Sequence, residues 1–268
     1  MPELKTGGAE KHGKPAARLH IDAKLVAGAG VNLNRGQAHY LRSVLRLTVG
    51  RNLLLFNGRD GEWRAEITEL GKSHAAAAVL TRTREQRQEP DLWLLFAPIK
   101  GDRIDGLAEK ATELGVSKLQ PVMTRYTVVT RVNIERLRAR AIEAAEQCGR
   151  LTVPQVSEPR PLRDVLAAWP QDRRLLACAE AGPARPLAEV LSMDRARSEA
   201  VPPTALLIGP EGGFSPDELD ILAELAFVTA VGLGPRLLRA DTAAVAALAL
   251  WQGLRGDGED RPPPRLEP

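Results

Sequence analysis

From Arg18 to about Thr83 the apolar residues come in short runs, RLHI, GVNL, NLLLF, WRAEITEL and AAAAVL, with glycine-containing turns such as FNGRDGEW between them. Runs of that length read as strands, and their close punctuation predicts a small β-barrel with one helix over 37–45. The polar segment TRTREQRQEP, ending at Pro90, reads as a linker. After Asp91 strands alternate with helices, which predicts an α/β domain on a largely parallel sheet. DLWLLFA opens it, and the helix that follows places Ile104, Leu107, Ala108, Ala111 and Leu114 on one face, with Gly115 where a C-terminal cap belongs. KLQPV, RLLACAE, TALLIG and FVTAVGLG read as further strands, 133–147 as a second long helix, and an Ala-rich helix from about Thr242 to Trp251 closes the domain. The expected division is a disordered tail at 1–16, a β-barrel at 17–88, an α/β domain at 89–256 and a second tail at 257–268. No period of 20–50 residues recurs, which argues against a repeat architecture.

Composition adds little until it is split along the chain. The net charge is only +3, but residues 1–88 hold 15 Lys and Arg against 8 Asp and Glu, while the rest hold 22 against 26. A basic module joined to a mildly acidic one suggests a polyanion-binding domain, because phosphate contacts dominate nucleic-acid affinity. A solvated basic surface with no partner is the bland alternative. Cys148 and Cys178 stand alone, and His12, His20, His39 and His74 are scattered, so no metal is expected. No run of about 18 apolar residues and no signal-peptide pattern occurs, which predicts a cytoplasmic protein with no membrane contact.

Two segments carry chemistry. TALLIGPEGGFSPDEL reads as a strand, a glycine-rich turn and a helix start, with Ser215 and Glu218 at capping-box spacing and Pro216 at the first helical position. Gly209, Gly212 and Gly213 let a ligand approach the backbone closely. A phosphate cradle is disfavoured: there is no GK[ST] ending, no GxGxxG spacing, and Glu211 would repel a polyphosphate, so a neutral or cationic ligand fits better. A tight turn with no ligand is the competing reading. The second segment, VGLGPRLLRADTAAVAAL, permits a close turn at Gly232 and Gly234. In it Leu233, Leu237 and Leu238 could wall an apolar slot, with Arg236 and Arg239 at the rim. Alternatively, Asp241 and Thr242 merely cap a helix and the leucines are core.

These two loops resemble the cofactor motifs of the knotted SPOUT class of RNA methyltransferases. More narrowly, the chain resembles the ribosomal RNA small subunit methyltransferase E family. The matching segments are HYLRSVLRL at 39–47, KGDRIDGLAEKATELGVSKLQPV at 100–122, EAAEQCGRLTVPQV at 143–156, IGPEGGFSPDEL at 208–219 and GLGPRLLRADTA at 232–243. The resemblance implies a PUA-like barrel for RNA and a SPOUT-type α/β domain whose chain passes through a deep trefoil knot. It further implies a homodimer and transfer of a methyl group from S-adenosylmethionine to N3 of a uridine in 16S ribosomal RNA. The cofactor residues would be Ile208, Gly209, Pro210, Glu211, Gly212 and Gly213 in the first loop, and Leu233, Gly234, Leu238, Arg239, Thr242 and Ala243 in the second. Arg239 and Arg103 are candidates to stabilise charge on the uracil. Arg18, His39, Arg42, Arg46, Lys100 and Arg103 are candidates to contact RNA, with Arg42 and Arg46 four apart on one helical face. Tyr40, Glu109 and Asp241 depart from the residues usual in the family. An RNA-binding assembly module without activity, and a dinucleotide-binding enzyme, are the rival readings; the intact paired loops oppose the first, and the missing GxGxxG opposes the second.

Overall fold

A computed structural model describes residues 14–179, 184–198 and 200–262 of the chain. Residues 1–13 and 263–268, which make up most of the first expected tail and half of the second, lie outside the described residues. The chain divides after Arg87 into two units.

In the first unit the short runs form β1 (Arg18–His20), β2 (Gly30–Leu33), β3 (Asn52–Phe56), β4 (Glu62–Leu70) and β5 (Ala75–Arg84). Their order is β1-β3-β4-β5-β2, antiparallel except for β1 beside β3. Alternate residues turn inward, so that Leu19, Leu41, Leu53, Leu55, Ile67 and Val79 make one core. Register shifts along the β4–β5 pair mark bulges, which bend and twist a ribbon of this length. Two expectations are corrected here. TRTR is strand rather than linker, because Thr81, Arg82 and Arg84 pair with β4 and the Thr83 hydroxyl donates to Glu62. The helix begins earlier and changes pitch: Asn34 and Gln37 close a capping box on α1 (Arg35–His39), which then widens into a π turn over Tyr40–Val44. Arg46 lies past that turn at φ 52°, so Arg42 and Arg46 do not share a helical face.

The second unit is a sheet in which all pairs are parallel. Its strands are β6 (Leu92–Phe96), β7 (Lys118–Met123), β8 (Gln155–Val156), β9 (Arg160–Pro161), β10 (Arg174–Cys178), β11 (Arg185–Pro186), β12 (Thr204–Ile208) and β13 (Val228–Gly232). They run in the order β11-β13-β10-β12-β6-β7-β8, with β9 beside β7. Helices α2 (Arg103–Glu113), α3 (Ile134–Cys148), α5 (Leu187–Arg197) and α7 (Ala240–Arg255) cover one face, and α4 (Leu162–Ala167) and α6 (Pro216–Glu224) the other. Both faces of the central strands are therefore buried. On β12, Leu206 and Ile208 enter the first core while Ala205 and Leu207 enter the second. The sequence pattern missed α4 and α5, and it started α7 two residues late. Gly115 ends α2 at φ +78°, and a Cβ there would meet the Gln252 side chain at 2.3 Å, since its amide donates to the Leu114 carbonyl. That glycine ties α2 to α7. Past α7, the Asp257 N–H bonds back to Gln252, so the first residues assigned to the C-terminal tail pack on the helix.

Candidate functional site

Strand order decides where a site forms. Strands β12 and β13 are consecutive but lie on opposite sides of β10, and in open parallel sheets ligands bind beyond the carboxyl ends of strands at such a reversal. Beyond those three ends lies a cavity of about 490 Å³, within the range of about 300–1,000 Å³ typical of small-molecule sites.

The first loop runs from Ile208 to Phe214. Ser215 caps α6 and Glu218 returns its carboxylate to the Ser215 N–H, as the spacing predicted. The other Glu218 oxygen accepts from the Arg125 N–H at 2.8 Å, so one buried carboxylate fixes both the loop and the segment after β7. Gly209 is needed because a Cβ would lie 3.0 Å from the Phe214 ring, and Gly213 because its φ is +70°. The second loop, from Leu233 to Arg239, leads into α7.

Of the residues expected at a cofactor, Ile208, Gly209, Pro210, Gly212, Gly213, Leu233, Gly234, Leu238 and Ala243 line the cavity. Glu211, Arg239 and Thr242 do not. Leu237 is at the rim, 86% exposed, rather than a buried wall. The charge argument drawn from Glu211 also changes. Its carboxylate accepts from Arg103 at 3.1 Å, while the same guanidinium grips Asp241 through Nε at 2.9 Å and a terminal nitrogen at 2.7 Å. Arg103, at the start of α2, thus joins the first loop to the first turn of α7. The fork of hydrogen bonds from Arg103 holds the Asp241 carboxyl below its ordinary range. Asp241 and Thr242 leave Arg239 as the N-cap of α7, with no side-chain cap.

Sequence reasoning missed the third wall. Cys178, Ala179 and Ala184, at and after the end of β10, also line the cavity, and burial pushes the Cys178 thiol up to about 12. Only the strand order reveals that β10 lies between the two loop-bearing strands. Apart from Arg236 the lining is apolar, glycine, proline or that thiol, so polar recognition falls to loop backbone. Such a slot fits S-adenosylmethionine: apolar walls for the flat adenine, and side-chain-free glycines where the backbone must reach the ligand's polar groups.

The residues expected at RNA behave differently from one another. His39, Arg42 and Arg46 are exposed at one turn of the first unit, beside Tyr40 and Val44, which are 39% and 60% exposed. Arg18 is turned inward instead: its side chain is 8% exposed, stacked 3.8 Å over Phe56 and bonded to Glu62 at 2.6 Å. Lys100 is exposed at the end of β6 in the second unit. Glu109 pairs with Lys110 on the surface. Among the described residues no helix is long and apolar enough to cross a membrane.

Comparison with known proteins agrees with this geometry. A family described as RNA methyltransferase domain matches residues 86–252, and one described as RNA methyltransferase PUA domain matches residues 33–80. The chain is 34% identical to the ribosomal RNA small subunit methyltransferase E of Rickettsia conorii, over 87% of this chain and 93% of that protein. It is 29% identical to the protein of that name from Bacillus subtilis, over 82% and 90%. Among solved structures, a ribosomal RNA small subunit methyltransferase E from Neisseria gonorrhoeae bound to S-adenosylmethionine superposes with a TM-score of 0.79 at 32% identity, covering 90% of this chain and 98% of that one.

Proposed function

The chain belongs to the ribosomal RNA small subunit methyltransferase E family of RNA methyltransferases, and from that premise we propose that it methylates N3 of a uridine in 16S ribosomal RNA, giving 3-methyluridine. S-adenosylmethionine is the donor, the RNA is presented within the small ribosomal subunit, and the work is done in the cytoplasm. The observation that carries this reading is the cavity shared by the ends of β10, β12 and β13, walled by the two glycine loops.

The cofactor supplies a methyl carbon activated by its sulfonium. The protein's part is alignment and the handling of charge. In-line displacement demands that the uracil nitrogen be held against that carbon, so rigid loops matter more than acid or base strength. Arg103 supplies the rigidity by bonding both Glu211 and Asp241. Since those carboxylates engage it, charge stabilisation on the uracil, whose N3 proton passes to solvent water, falls to Arg239, exposed at the mouth of the second loop and without an ion pair among the described residues. His39, Arg42 and Arg46 hold the RNA backbone. N3 is hidden in a Watson–Crick pair, so the target uridine is unpaired or flipped.

Two features implied by the resemblance complete the proposal. The trefoil knot rests on the family resemblance, and it would lie at the carboxyl ends of β10, β12 and β13, where the two loops meet. The homodimer is supported by large apolar side chains left exposed on the second unit, Tyr126 at 46%, Val128 at 65% and Leu237 at 86%.

The test is calorimetric titration with S-adenosylmethionine, followed by methyl transfer to unmethylated small subunits and nucleoside analysis of the product. Binding and 3-methyluridine are the expected results. Binding without transfer would instead favour an RNA-binding assembly module, and a different methylated nucleoside would overturn the N3 assignment.

A further inference from the structure

The first cofactor loop holds three glycines in the seven residues from Ile208 to Phe214, and glycine loses more conformational freedom on ordering than any other residue. The loop's own backbone offsets little of that cost. The Gly213 N–H donates to the Pro210 carbonyl at 2.9 Å, and Glu211 and Gly212 at the tip are exposed. A loop of this kind is ready for a ligand only when something outside it holds its shape.

Arg103 takes hold of the tip through Glu211. The second hold is Glu218, at the third position of α6 and 8% exposed. Its carboxylate spans two backbone donors from distant parts of the chain, the Ser215 N–H at the loop's end at 2.9 Å and the Arg125 N–H, 93 positions away, at 2.8 Å. The turn it grips is itself firm: the Thr124 N–H donates to Thr127 Oγ1 at 3.0 Å, and the Thr127 N–H to the Thr124 carbonyl at 3.1 Å. Next to Arg125, Tyr126 packs on the loop so closely that a Cβ on Gly212 would stand 3.3 Å from the Tyr126 Cβ. Residues 124–127 thus back the loop, although none of them lines the cavity.

We infer that Glu218 is a positioning residue for methyl transfer: acting through the Arg125–Tyr126 turn, it holds the Gly212 part of the loop in the shape that S-adenosylmethionine needs and couples cofactor binding to that turn. A carboxylate is required there. Two N–H donors need two acceptor oxygens, and a buried amide in its place would turn its own N–H toward one of them. The inference rests on S-adenosylmethionine as the ligand of the cavity, whereas the coupling of loop and turn can also be read without ligand.

The experiment uses the full chain and two variants. Glu218→Gln keeps the shape and loses one acceptor, while Ser215→Ala removes the Oγ that accepts from the Glu218 N–H and leaves both carboxylate bonds in place. Glu218→Gln is expected to weaken S-adenosylmethionine binding about tenfold in calorimetry, and to lower kcat at saturating cofactor with KM for the small subunit unchanged. Ser215→Ala should lower the urea midpoint with the smaller loss of affinity. Amide hydrogen exchange read by mass spectrometry follows the turn directly. In wild type, S-adenosylmethionine should slow exchange over 124–127 together with 208–214. In Glu218→Gln both segments should exchange faster before ligand is added, and 124–127 should no longer respond to it. Equal loss of affinity in the two variants would reduce Glu218 to a helix cap, and wild-type exchange over 124–127 indifferent to bound cofactor would overturn the coupling. Should Glu218→Gln not fold, the wild-type exchange decides alone. A wild type that binds no S-adenosylmethionine would instead sink the methyltransferase reading, and the ligand-free exchange of the two segments would still test the hold of Glu218.

Discussion

Single residues in the cofactor loops act through backbone geometry and charge pairing more than through side-chain chemistry. Gly213 lines the cavity at φ +70° with open space where a Cβ would stand. Valine there adds about 1–2 kcal/mol of left-handed strain and places a branched side chain in the slot. Gly213→Val is therefore expected to weaken S-adenosylmethionine binding by about tenfold or more in calorimetry, with RNA affinity unchanged. Asp241 gives a pH signature. Its folded-state pKa is lowered, chiefly by the hydrogen bonds from Arg103, so its contribution is complete above the ordinary carboxylate value of about 3.9 and is lost as pH falls through the folded value. Unfolding free energy, read by urea denaturation, should stay level from neutral pH to about pH 5 and decline as pH falls below the ordinary carboxylate value of about 3.9, and Asp241→Asn should remove that acid limb. The cysteines make a third prediction. Cys148 is exposed, whereas the Cys178 thiol is pushed up to about 12 by burial in the cavity wall. At pH 8 iodoacetamide should add once per chain, at Cys148, as read by intact mass; modification of Cys178 would mean that the cavity is more open than described.

Elements explain where local pattern and structure part company. The turn after α1 has the hydrophobic spacing of a helix, yet it widens at Tyr40 into a π turn, and Leu45 bonds to the Tyr40 carbonyl, five residues back. Such widened turns cluster at functional positions. It ends in Arg46 at φ 52°, a conformation in which a side chain costs about 1–2 kcal/mol relative to glycine. Arg46→Gly should then raise unfolding free energy by about 1 kcal/mol and at the same time weaken RNA binding. A stability gain without loss of RNA affinity would remove Arg46 from the RNA surface. The capping box at Ser215 shows the opposite case. Three residues fixed it locally, and the fold then employed Glu218 a second time, to hold the segment at Arg125.

At the scale of the molecule, charge and exposed apolar area bear on the proposed RNA and dimer contacts. The 15 to 8 excess of basic residues in the first 88 positions should make RNA binding fall steeply with salt. Sedimentation should return twice the 29.1 kDa chain mass. A monomer at micromolar concentration would leave Tyr126, Val128 and Leu237 without the proposed partner.

The amino-acid sequence by itself determined what local spacing can specify. Short apolar runs between turns marked the strands, glycine and Ser215–Glu218 spacing marked the cofactor turn, and the change of rhythm near Asp91 marked the passage from a mostly β unit to an α/β one. Tertiary structure decided whatever depends on residues far apart in the chain. Arg103 meets Asp241 across 138 positions and Glu211 across 108, a pair of contacts that ties the first loop to the first turn of α7. Arg18, equally basic on paper, was taken inward by Glu62 and Phe56. The reversal of strand order around β10 brought Cys178 and Ala184 to the cavity wall, though nothing in their own segment announces it. Hydrogen bonding within one turn is written in neighbouring residues. Pairing between strands, and the charges that meet when they pair, exist only after the chain has closed on itself.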